Sequence, residues 1–358
     1  YKQNLDGYTK LTGRPNLPPV YGLEYGDADC YNRSNPGYSS SGFTSPTTPK
    51  QVTFDAVTTA KAFKENDMPA GWMLVNDGYG CEYTPDPAGY TKDTPYNPAN
   101  PDKGLGGTVK AMAAEANLKA GLWTQRSLTN QAQEVGQDGI ALRKLDVAWV
   151  GEGYRLALTG CESAKSGIED YSTGRANTLM VEGWAGAQRC GVQWTGDHSG
   201  SLDQVRWGVP ALAGAANSGQ AFTASDIDGI FGGSPESYVR DLQWKAFAPE
   251  IYSMSGWASV DKRPWLYGEA ATAINRKYLQ MRQQLMPYIY SLLVEAHNTG
   301  VGMMRSMPLE FPNDSLSYTK EAETQFMLGS DYLIAPVSTS SSLRNGIVLP
   351  TGSDWVDY

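Results

Sequence analysis

Short apolar runs alternate with amphipathic segments along most of the chain. In the segment 53–66, apolar side chains recur at helical spacing, at Phe54, Val57, Ala60 and Phe63. About eight strand and helix pairs follow one another in this way, which predicts a (β/α)8 barrel. A doubly wound sheet is the alternative, but no glycine-rich phosphate loop follows the first apolar run. The predicted strands lie at 20–25, 72–75, 120–123, 140–150, 178–181, 192–194, 221–224 and 251–254.

The pattern changes at both ends of this region. Residues 1–18 are polar, which predicts a lead-in segment before the barrel at 19–306. The longest helical stretch, 269–298, is expected to close the barrel. From 307 to 358 the chain changes to strand-like pieces, so we expect the start of a β-rich domain there. The chain begins without an initiator Met and shows no signal-peptide pattern, so we expect it to be a fragment of a longer protein.

Composition and charge narrow the classes of function. The 358 residues carry a net charge of −9 and no run of Lys and Arg, which disfavours nucleic acids and anionic membranes as partners. No apolar stretch approaches the ~20 residues that insert across a membrane. The two histidines, His198 and His297, and four cysteines without C-x-x-C spacing argue against zinc and thioredoxin-like sites. The 10 Trp and 21 Tyr suit the C–H faces of sugar rings.

Acidic residues fall at the ends of the predicted strands, at Asp77, Asp146, Asp197 and Asp226. In a barrel, the loops after the strands converge on one cavity, and active sites form there. A single Asp in such a place is as readily an N-cap or turn residue, but four in succession beside aromatic residues favour a site. Paired carboxyl groups without histidine indicate glycoside cleavage, which needs one acid and one carboxylate.

Other interpretations fit the same residues less well. A Ser-His-Asp site would need His198, and no serine lies in a G-x-S-x-G motif. Lys144 lies two residues before Asp146 and shares its strand face, so a Schiff-base lysine is an alternative that the surrounding acids disfavour. A catalytically inactive carbohydrate-binding barrel is an alternative of another class, which the retention of both Asp146 and Asp197 disfavours.

Four motifs resemble the signatures of glycoside hydrolase family 31, and their order spans nearly the whole chain. The resemblance implies a retaining, exo-acting α-glycosidase or, in a few members, a transglycosylase. It also implies an N-terminal β-sandwich that this chain lacks, with 1–18 leading in from it, and a β-domain after the barrel. The motifs are Lys144-Leu145-Asp146, Trp194-Thr195-Gly196-Asp197, Ser225-Asp226-Ile227-Asp228-Gly229 and Gln325-Phe326-Met327-Leu328-Gly329.

The resemblance also implies a role for individual residues. Asp146 matches the nucleophile and Asp197 the general acid/base, and retention calls for carboxyl groups about 5–5.5 Å apart. Burial and the charge of Asp146 should raise the pKa of Asp197. Lys144 or Arg189 is expected to keep Asp146 ionised. The residues expected to bind sugar are Asp77, Asp226 and Arg189, with Trp123, Trp149 and Trp194 as candidate walls.

Two departures from the family pattern affect the sugar pocket. The family's histidine after the eighth strand is absent, and the stretch reads Ser253-Met254-Ser255-Gly256-Trp257. The glutamate that often follows the nucleophile motif is also replaced. With these changes the chain resembles the bacterial α-N-acetylgalactosaminidases of family 31, which release terminal α-linked N-acetylgalactosamine from glycans. The alternative is an α-glucosidase, or an isomaltosyl hydrolase or transglycosylase, of the same family. Trp257 or Tyr154, with Ser255, would receive the acetamido group, although Trp257 is as readily a packing residue.

Further residues near the predicted site have two interpretations each. His198 lines the leaving-group side or belongs to a surface loop. Asp228 binds sugar or, as we favour, caps the turn at Gly229. Asp27 and Asp29 are close enough in sequence to the first strand to reach the pocket, but acids in loops are usually solvated.

The cysteines bear on the cellular compartment. Four of them permit two disulfides or four free thiols. Cys30 and Cys81 follow adjacent predicted strands and form a reasonable pair, which leaves Cys161 and Cys190. A glycan substrate and paired cysteines predict a secreted or cell-surface protein with a carbohydrate as its partner. We expect no metal or organic cofactor, and a structural calcium ion is compatible with this chemistry.

Overall fold

A computed structural model describes residues 1–29, 44–45, 48–51, 56–77, 105–124, 128–146, 154–181, 183–255 and 262–358. For 44–45, 48–51 and 154–157 it describes the backbone alone.

Eight parallel strands form a closed barrel, which confirms the predicted fold class. Each strand pairs with its neighbours in the sequence, and the first pairs with the last. The strands are β1 (Gly26–Ala28), β2 (Trp72–Leu74), β3 (Lys119–Thr124), β4 (Leu142–Leu145), β5 (Asn177–Met180), β6 (Val192–Trp194), β7 (Thr223–Asp226) and β8 (Glu250–Met254).

Helices accompany the strands, and two short ladders lie in loops. The ladders join Thr44–Ser45 to Thr48–Gln51 and Ser199–Gly200 to Phe231–Gly232. The helices are α1 (Lys2–Thr12), α2 (Val20–Leu23), α3 (Ala56–Glu65), α4 (Leu105–Ala116), α5 (Gln131–Glu134), α6 (Tyr154–Tyr171), α7 (Leu202–Asn217), α8 (Pro235–Lys245), α9 (Glu269–Gln284), α10 (Met286–Thr299) and α11 (Met307–Glu310).

The first strand lies later than the apolar pattern predicts. Residues 20–23 form α2, because Pro19 has a fixed φ that suits a helix start and its carbonyl accepts from the Gly22 N–H. β1 instead begins at Gly26, opposite Trp72 and Tyr252. A Cβ at Gly26 would lie 2.2 Å from the Trp72 ring. Glycine at this position therefore lets the large indole fill the barrel.

Two helical segments also differ from the sequence prediction. The polar lead-in contains α1, which contacts α10: Thr9 lies against Gly300 at the end of α10, and Leu5 packs with Val301 and Leu309 just beyond it. Leu5 and Thr9 are four residues apart, so they lie on one face of the helix. The predicted helix 269–298 is two helices that separate at Leu285, because Pro287 has no N–H to continue the first one.

A buried arginine closes the end of the barrel at which the strands begin. Arg282 on α9 donates hydrogen bonds of 2.6–2.7 Å to the carbonyls of Leu23, Ala246, Ala248 and Pro249. These carbonyls belong to the segments that lead into β1 and β8. Because this end is closed by packing and hydrogen bonds, the opposite end is the one available for chemistry.

The chain ends in a β-rich region, as predicted. Three antiparallel strands, β9 (Met304–Ser306), β10 (Phe326–Leu328) and β11 (Tyr332–Ile334), form a small sheet. Its first strand begins shortly before residue 307, the predicted start of this region. Among the helices that the structure describes, none is long and apolar enough to cross a membrane.

One predicted disulfide is present. Cys161 on α6 is bonded to Cys190, which precedes β6. Both residues are buried, so the bond ties α6 to the barrel from within a small apolar cluster. The other predicted pair, Cys30 and Cys81, lies outside the described residues.

We expect the double variant Cys161→Ala/Cys190→Ala to be less stable than the wild type. The bond closes a loop of 29 residues. Loss of its constraint on the unfolded chain should lower the free energy of unfolding by about 3–4 kcal/mol. Urea unfolding followed by circular dichroism measures the change. Each single Ala variant should be as unstable as the double variant, and wild-type stability in all three would contradict the bond.

Candidate active site

Four carboxyl groups meet at the end of the barrel where the strands finish. Asp77 and Asp146 come shortly after β2 and β4, Asp197 follows β6, and Asp226 is the last residue of β7. Because the strands are parallel, their last residues all lie at one rim. The charge of Asp146 acts on both Asp77 and Asp197. The structure thus brings together the four acids that the sequence placed at strand ends.

The Lys144 ammonium lies between two of these acids. Its Nζ is 3.1 Å from Asp77 Oδ1 and 3.9 Å from Asp146 Oδ2. It also lies 4.2 Å above the Trp194 ring, where a cation is attracted to the π face. Burial alone would lower the pKa of Lys144, but the charges of Asp77, Asp146 and Asp226 raise it above its usual value. The lysine is therefore held protonated, which argues against a Schiff-base role.

Two tryptophans orient the carboxylates. Trp123 Nε1 donates to Asp146 Oδ2 at 3.0 Å, and Trp194 Nε1 donates to Asp226 Oδ2 at 2.8 Å. The two indoles are only 2% and 5% exposed. We therefore interpret them as hydrogen-bond donors packed beneath the rim, which revises the prediction that they form walls for a sugar ring.

The carboxyl groups differ in how strongly they hold a proton. Asp197 is more exposed than the other rim acids, but partial burial, reinforced by the charge of Asp146, raises its pKa against an opposing effect of Lys144. Burial raises the pKa of Asp226 to about 7, and Lys144 and the Trp194 hydrogen bond oppose this. Burial also raises the pKa of Asp77, again against Lys144. Burial therefore shifts three of the four rim carboxyl groups towards the protonated form.

Arg189 is not part of this rim. It lies in a 3-10 turn, Ala187–Arg189, three residues before β6 begins and thus at the opposite end of the barrel from Asp197. Its guanidinium pairs with Glu162 on α6, and its stem packs against Gly13. The prediction that Arg189 binds sugar is therefore wrong for this structure. Eight residues separate Arg189 from Asp197, and the strand β6 lies between them. The motif alone does not indicate that the two residues are at opposite ends of a strand.

Several residues of the rim are not apparent from the sequence. Asn76 exchanges two hydrogen bonds with the backbone of Trp123, which joins the ends of β2 and β3. The Met254 sulfur lies 3.4 Å from Lys144 Nζ. In the sequence, these contacts are indicated only by the amide of Asn76, which lies beside Asp77 just after β2.

A buried arginine pairs with two further acids. Arg263 donates to Asp29 Oδ2 at 2.9 Å and lies 3.9 Å from Asp27 Oδ2. Asp27 and Asp29 are at most 1% exposed, so they are not solvated loop acids. The Asp29 carbonyl accepts the Asp77 N–H, which connects this pair to the rim.

The other predicted site residues are placed as follows. The His198 ring lies against Gly229, and burial lowers its pKa to about 4, with the Lys245 charge acting in the same direction. Asp228 lies in a turn with φ of +58° and is paired with Lys262, in agreement with its interpretation as a turn residue. Ser255 is buried just after β8. Trp149, Trp257 and the side chain of Tyr154 lie outside the described residues.

The described residues include no group of three or more His, Cys, Asp or Glu side chains arranged to hold a metal ion.

Comparison with known families identifies the chain. The model of the "Glycosyl hydrolases family 31 TIM-barrel domain" matches residues 154–292, and that of the "Glycosyl hydrolase family 31 C-terminal domain" matches 300–358. Together the two matches cover more than half of the sequence. The chain belongs to glycoside hydrolase family 31.

Curated relatives in family 31 have several specificities. The chain is 32% identical over 199 residues to alpha-glucosidase 2 of Bacillus thermoamyloliquefaciens, covering 55% of this chain and 25% of the relative. It is 30% identical over 220 residues to an alpha-xylosidase of Saccharolobus solfataricus, covering 58% and 30%. It is 36% identical over 196 residues to an isomaltosyltransferase of Sporosarcina globispora, covering 51% and 18%. The chain thus spans less than a third of each relative.

A solved structure shows the same fold. The family 31 dextranase of Flavobacterium johnsoniae, complexed with glucose, superposes with a TM-score of 0.74 over 96% of this chain and 49% of that one. The sequences are 19% identical, so the likeness concerns the fold alone.

We expect the Asp226→Asn variant to gain stability relative to the wild type as the pH rises. The folded-state pKa of about 7 exceeds the unfolded value of 3.8, so the stability contributed by protonated Asp226 is complete below pH 3.8 and is lost as the pH rises through 7. The amide does not titrate. Between pH 5 and pH 8 the difference in unfolding free energy should shift by about 3 kcal/mol in favour of the variant.

Urea unfolding at the two pH values measures this shift. Asp170→Asn, at an exposed position on α6, is the matched control and should leave the pH dependence unchanged. Equal behaviour of the two variants would show that Asp226 does not hold its proton in the folded protein.

Proposed function

We propose that the protein is a retaining, exo-acting α-glycoside hydrolase that works by double displacement at Asp146 and Asp197. The observation that supports this most strongly is the contrast between the two carboxyl groups at one rim. Asp146 accepts a hydrogen bond from Trp123 and faces the Lys144 ammonium, which stabilises a negative charge. Asp197 has a raised pKa, which favours the protonated form. A nucleophile and an acid need these two states.

In the first step, a carboxylate oxygen of Asp146 attacks the anomeric carbon of the terminal sugar. The bond from that carbon to the glycosidic oxygen breaks, and Asp197 gives its proton to the departing oxygen. The product is a covalent glycosyl ester of Asp146 with inverted configuration. Asp77 and Asp226 share the Lys144 ammonium with Asp146 and would accept hydrogen bonds from hydroxyl groups of the same sugar.

In the second step, the ionised Asp197 takes a proton from water. The water oxygen attacks the anomeric carbon, and the bond to Asp146 breaks, so that the sugar leaves with its original α configuration. A sugar hydroxyl in place of water would give transglycosylation. The similarity to an isomaltosyltransferase keeps that outcome as a second candidate.

For the sugar itself, we propose terminal α-linked N-acetylgalactosamine. The support is the stretch after β8, where Ser253, Met254 and Ser255 replace the family's histidine pattern. The Ser253 hydroxyl is bonded to Tyr238, and Met254 contacts Lys144. The Ser255 hydroxyl has no hydrogen-bond partner among the described residues, so it is the polar group available to an acetamido substituent. The curated relatives favour α-glucosides, α-xylosides or isomaltosyl units as the alternative.

We expect Asp146→Ala to abolish turnover of every substrate, because no covalent intermediate can form. Asp197→Ala should lose about 10²–10⁴-fold in kcat/KM on substrates with poor leaving groups, and far less on activated aryl glycosides, which depart without a proton. Azide should partly restore the turnover of activated substrates by Asp197→Ala. Steady-state kinetics on both substrate types measures these effects.

Asp203→Ala is the matched control, since Asp203 is close in sequence to Asp197 but exposed on α7. It should retain wild-type kinetics. Full activity in Asp146→Ala would overturn the nucleophile assignment, and equal losses on both substrate types in Asp197→Ala would overturn the acid role.

A panel of para-nitrophenyl α-glycosides tests which terminal sugar the enzyme releases. We expect release from the N-acetylgalactosaminide at a rate at least about tenfold above the galactoside, glucoside, xyloside and isomaltoside, since polar recognition of one substituent contributes at least that much discrimination. Release from the glucoside or isomaltoside instead would agree with the proposed mechanism and overturn the proposed specificity for N-acetylgalactosamine. Absence of turnover throughout would favour a transglycosylase or a carbohydrate-binding barrel.

A further inference from the structure

The acid/base Asp197 is carried by an exposed loop, residues 195–201, which we name the acid loop. It starts after β6 and ends at Ser201, whose hydroxyl caps α7 by accepting the Gln204 N–H. Asp197 itself is exposed, and its neighbour Gly196 has φ of +80°, a conformation that favours glycine. Thr195, at the start of the acid loop, is hydrogen-bonded to the Ala224 carbonyl and the Ser225 hydroxyl on β7. The position of the carboxyl group therefore depends on this anchor and on the residues that the remainder of the acid loop rests on.

The acid loop rests on the loop after β7, residues 227–234. The His198 carbonyl accepts hydrogen bonds from the N–H groups of Ile230 and Phe231. Ser199 and Gly200 then pair in parallel with Phe231 and Gly232. A Cβ at Gly200 would lie 2.3 Å from the Asp228 carbonyl oxygen, so the two backbones are in direct contact. Movement of the 227–234 loop must therefore move the acid loop.

A buried ion pair holds the 227–234 loop in place. Lys262 Nζ donates to the Asp228 carboxylate at 2.9 Å, to the Asp228 carbonyl at 2.8 Å and to the Gly232 carbonyl at 2.7 Å. An ammonium has three protons, and all three are used on this loop. Both side chains are 0% exposed. Asp228 has a φ of +58°, a conformation that is unfavourable for a residue other than glycine, and the ion pair helps to hold it there.

A second lysine fixes the other side of the same loop. Lys245 on α8 donates to the Asp226 carbonyl and to Asp241 Oδ2, both at 2.6 Å. The Asp241 carboxylate also accepts the Asp228 N–H at 2.7 Å. The loop is thus held at α8. Among the described residues, it is also held from β8, where the Tyr252 carbonyl accepts the Ile227 N–H, and from Lys262.

We propose that Lys262 and Asp228 are positioning residues for the acid/base. Neither belongs to the cluster of Lys144, Asp146 and Asp226, and they act through the Ser199–Phe231 pairing to set the place from which Asp197 delivers its proton. The inference rests on the proposed function, since it needs Asp197 to be the acid. On this proposal Lys262 does not bind the sugar. Its substitution should therefore impair only the transfer of the proton from Asp197.

The test compares two leaving groups on one sugar. For wild type, Lys262→Met and Asp197→Ala, kcat/KM is measured with the 2,4-dinitrophenyl and the methyl α-glycoside of the sugar that the panel identifies. Displacement of a catalytic group by about 1 Å costs up to about 10²-fold, so Lys262→Met should lose 10- to 100-fold on the methyl glycoside. It should stay within about threefold of wild type on the dinitrophenyl glycoside, which departs without protonation.

Active protein is counted with a mechanism-based inactivator that labels Asp146, so that unfolded material does not enter the rates. Arg305→Met is the matched control, because Arg305 is also buried and pairs with Glu310 at 2.8 Å and Glu295 at 2.6 Å, but in the C-terminal part of the chain. It should lose stability without changing the ratio of the two rates. Asp228→Asn removes the charge of the carboxylate but leaves the carbonyls of Asp228 and Gly232 in place to accept from Lys262. If Lys262→Met fails to fold, the comparison of leaving groups is made with Asp228→Asn.

The outcomes separate the two proposals. A leaving-group effect in both Asp197→Ala and Lys262→Met supports the positioning role. If only Asp197→Ala shows the effect, and folded Lys262→Met and Asp228→Asn keep the wild-type ratio of the two kcat/KM values, this inference is overturned. The proposed function then remains intact. No effect in Asp197→Ala overturns the acid role and the positioning role together.

Discussion

The rim of the barrel depends on one buried ammonium group. Four carboxyl groups converge where parallel strands end, and burying their negative charge is unfavourable without a compensating cation. Lys144 provides that cation, at 3.1 Å from Asp77 and 3.9 Å from Asp146, with its charge also over the Trp194 ring. The acids in turn raise the pKa of the lysine, so they keep its ammonium group charged.

Around this centre, two of the acids accept a hydrogen bond from a tryptophan on a neighbouring strand. Trp123 on β3 orients Asp146 after β4, and Trp194 on β6 orients Asp226 on β7. Because each contact crosses to a neighbouring strand, the geometry of the site follows from closure of the barrel. Buried cations recur at both ends, with Lys262 and Arg263 among the loops and Arg282 under the strands. Each neutralises a carboxylate or satisfies carbonyls that the loops leave unpaired.

Much of the fold could be predicted because its signals are local. Apolar runs at a spacing of two or 3.6 residues located most strands and helices, and the acids at strand ends indicated the rim. The errors fall where distant packing overrides the local pattern. The predicted first strand begins at residue 20, but β1 begins only at Gly26, where the absence of a side chain leaves room for the Trp72 ring. The lead-in at 1–18 contains a helix because α10 offers it a surface.

By itself, the sequence determined the order of strands and helices, the family and the acids that meet at one rim, since periodicity and motifs are properties of neighbouring residues. Only the tertiary structure decided what each side chain contacts. It placed Arg189 at the far end of the barrel beside Glu162, turned two tryptophans into donors beneath the rim, and brought Lys262 to Asp228 across 34 residues. The physical reason is that burial and ion pairing depend on segments far apart in the chain, and closure of the barrel brings those segments together.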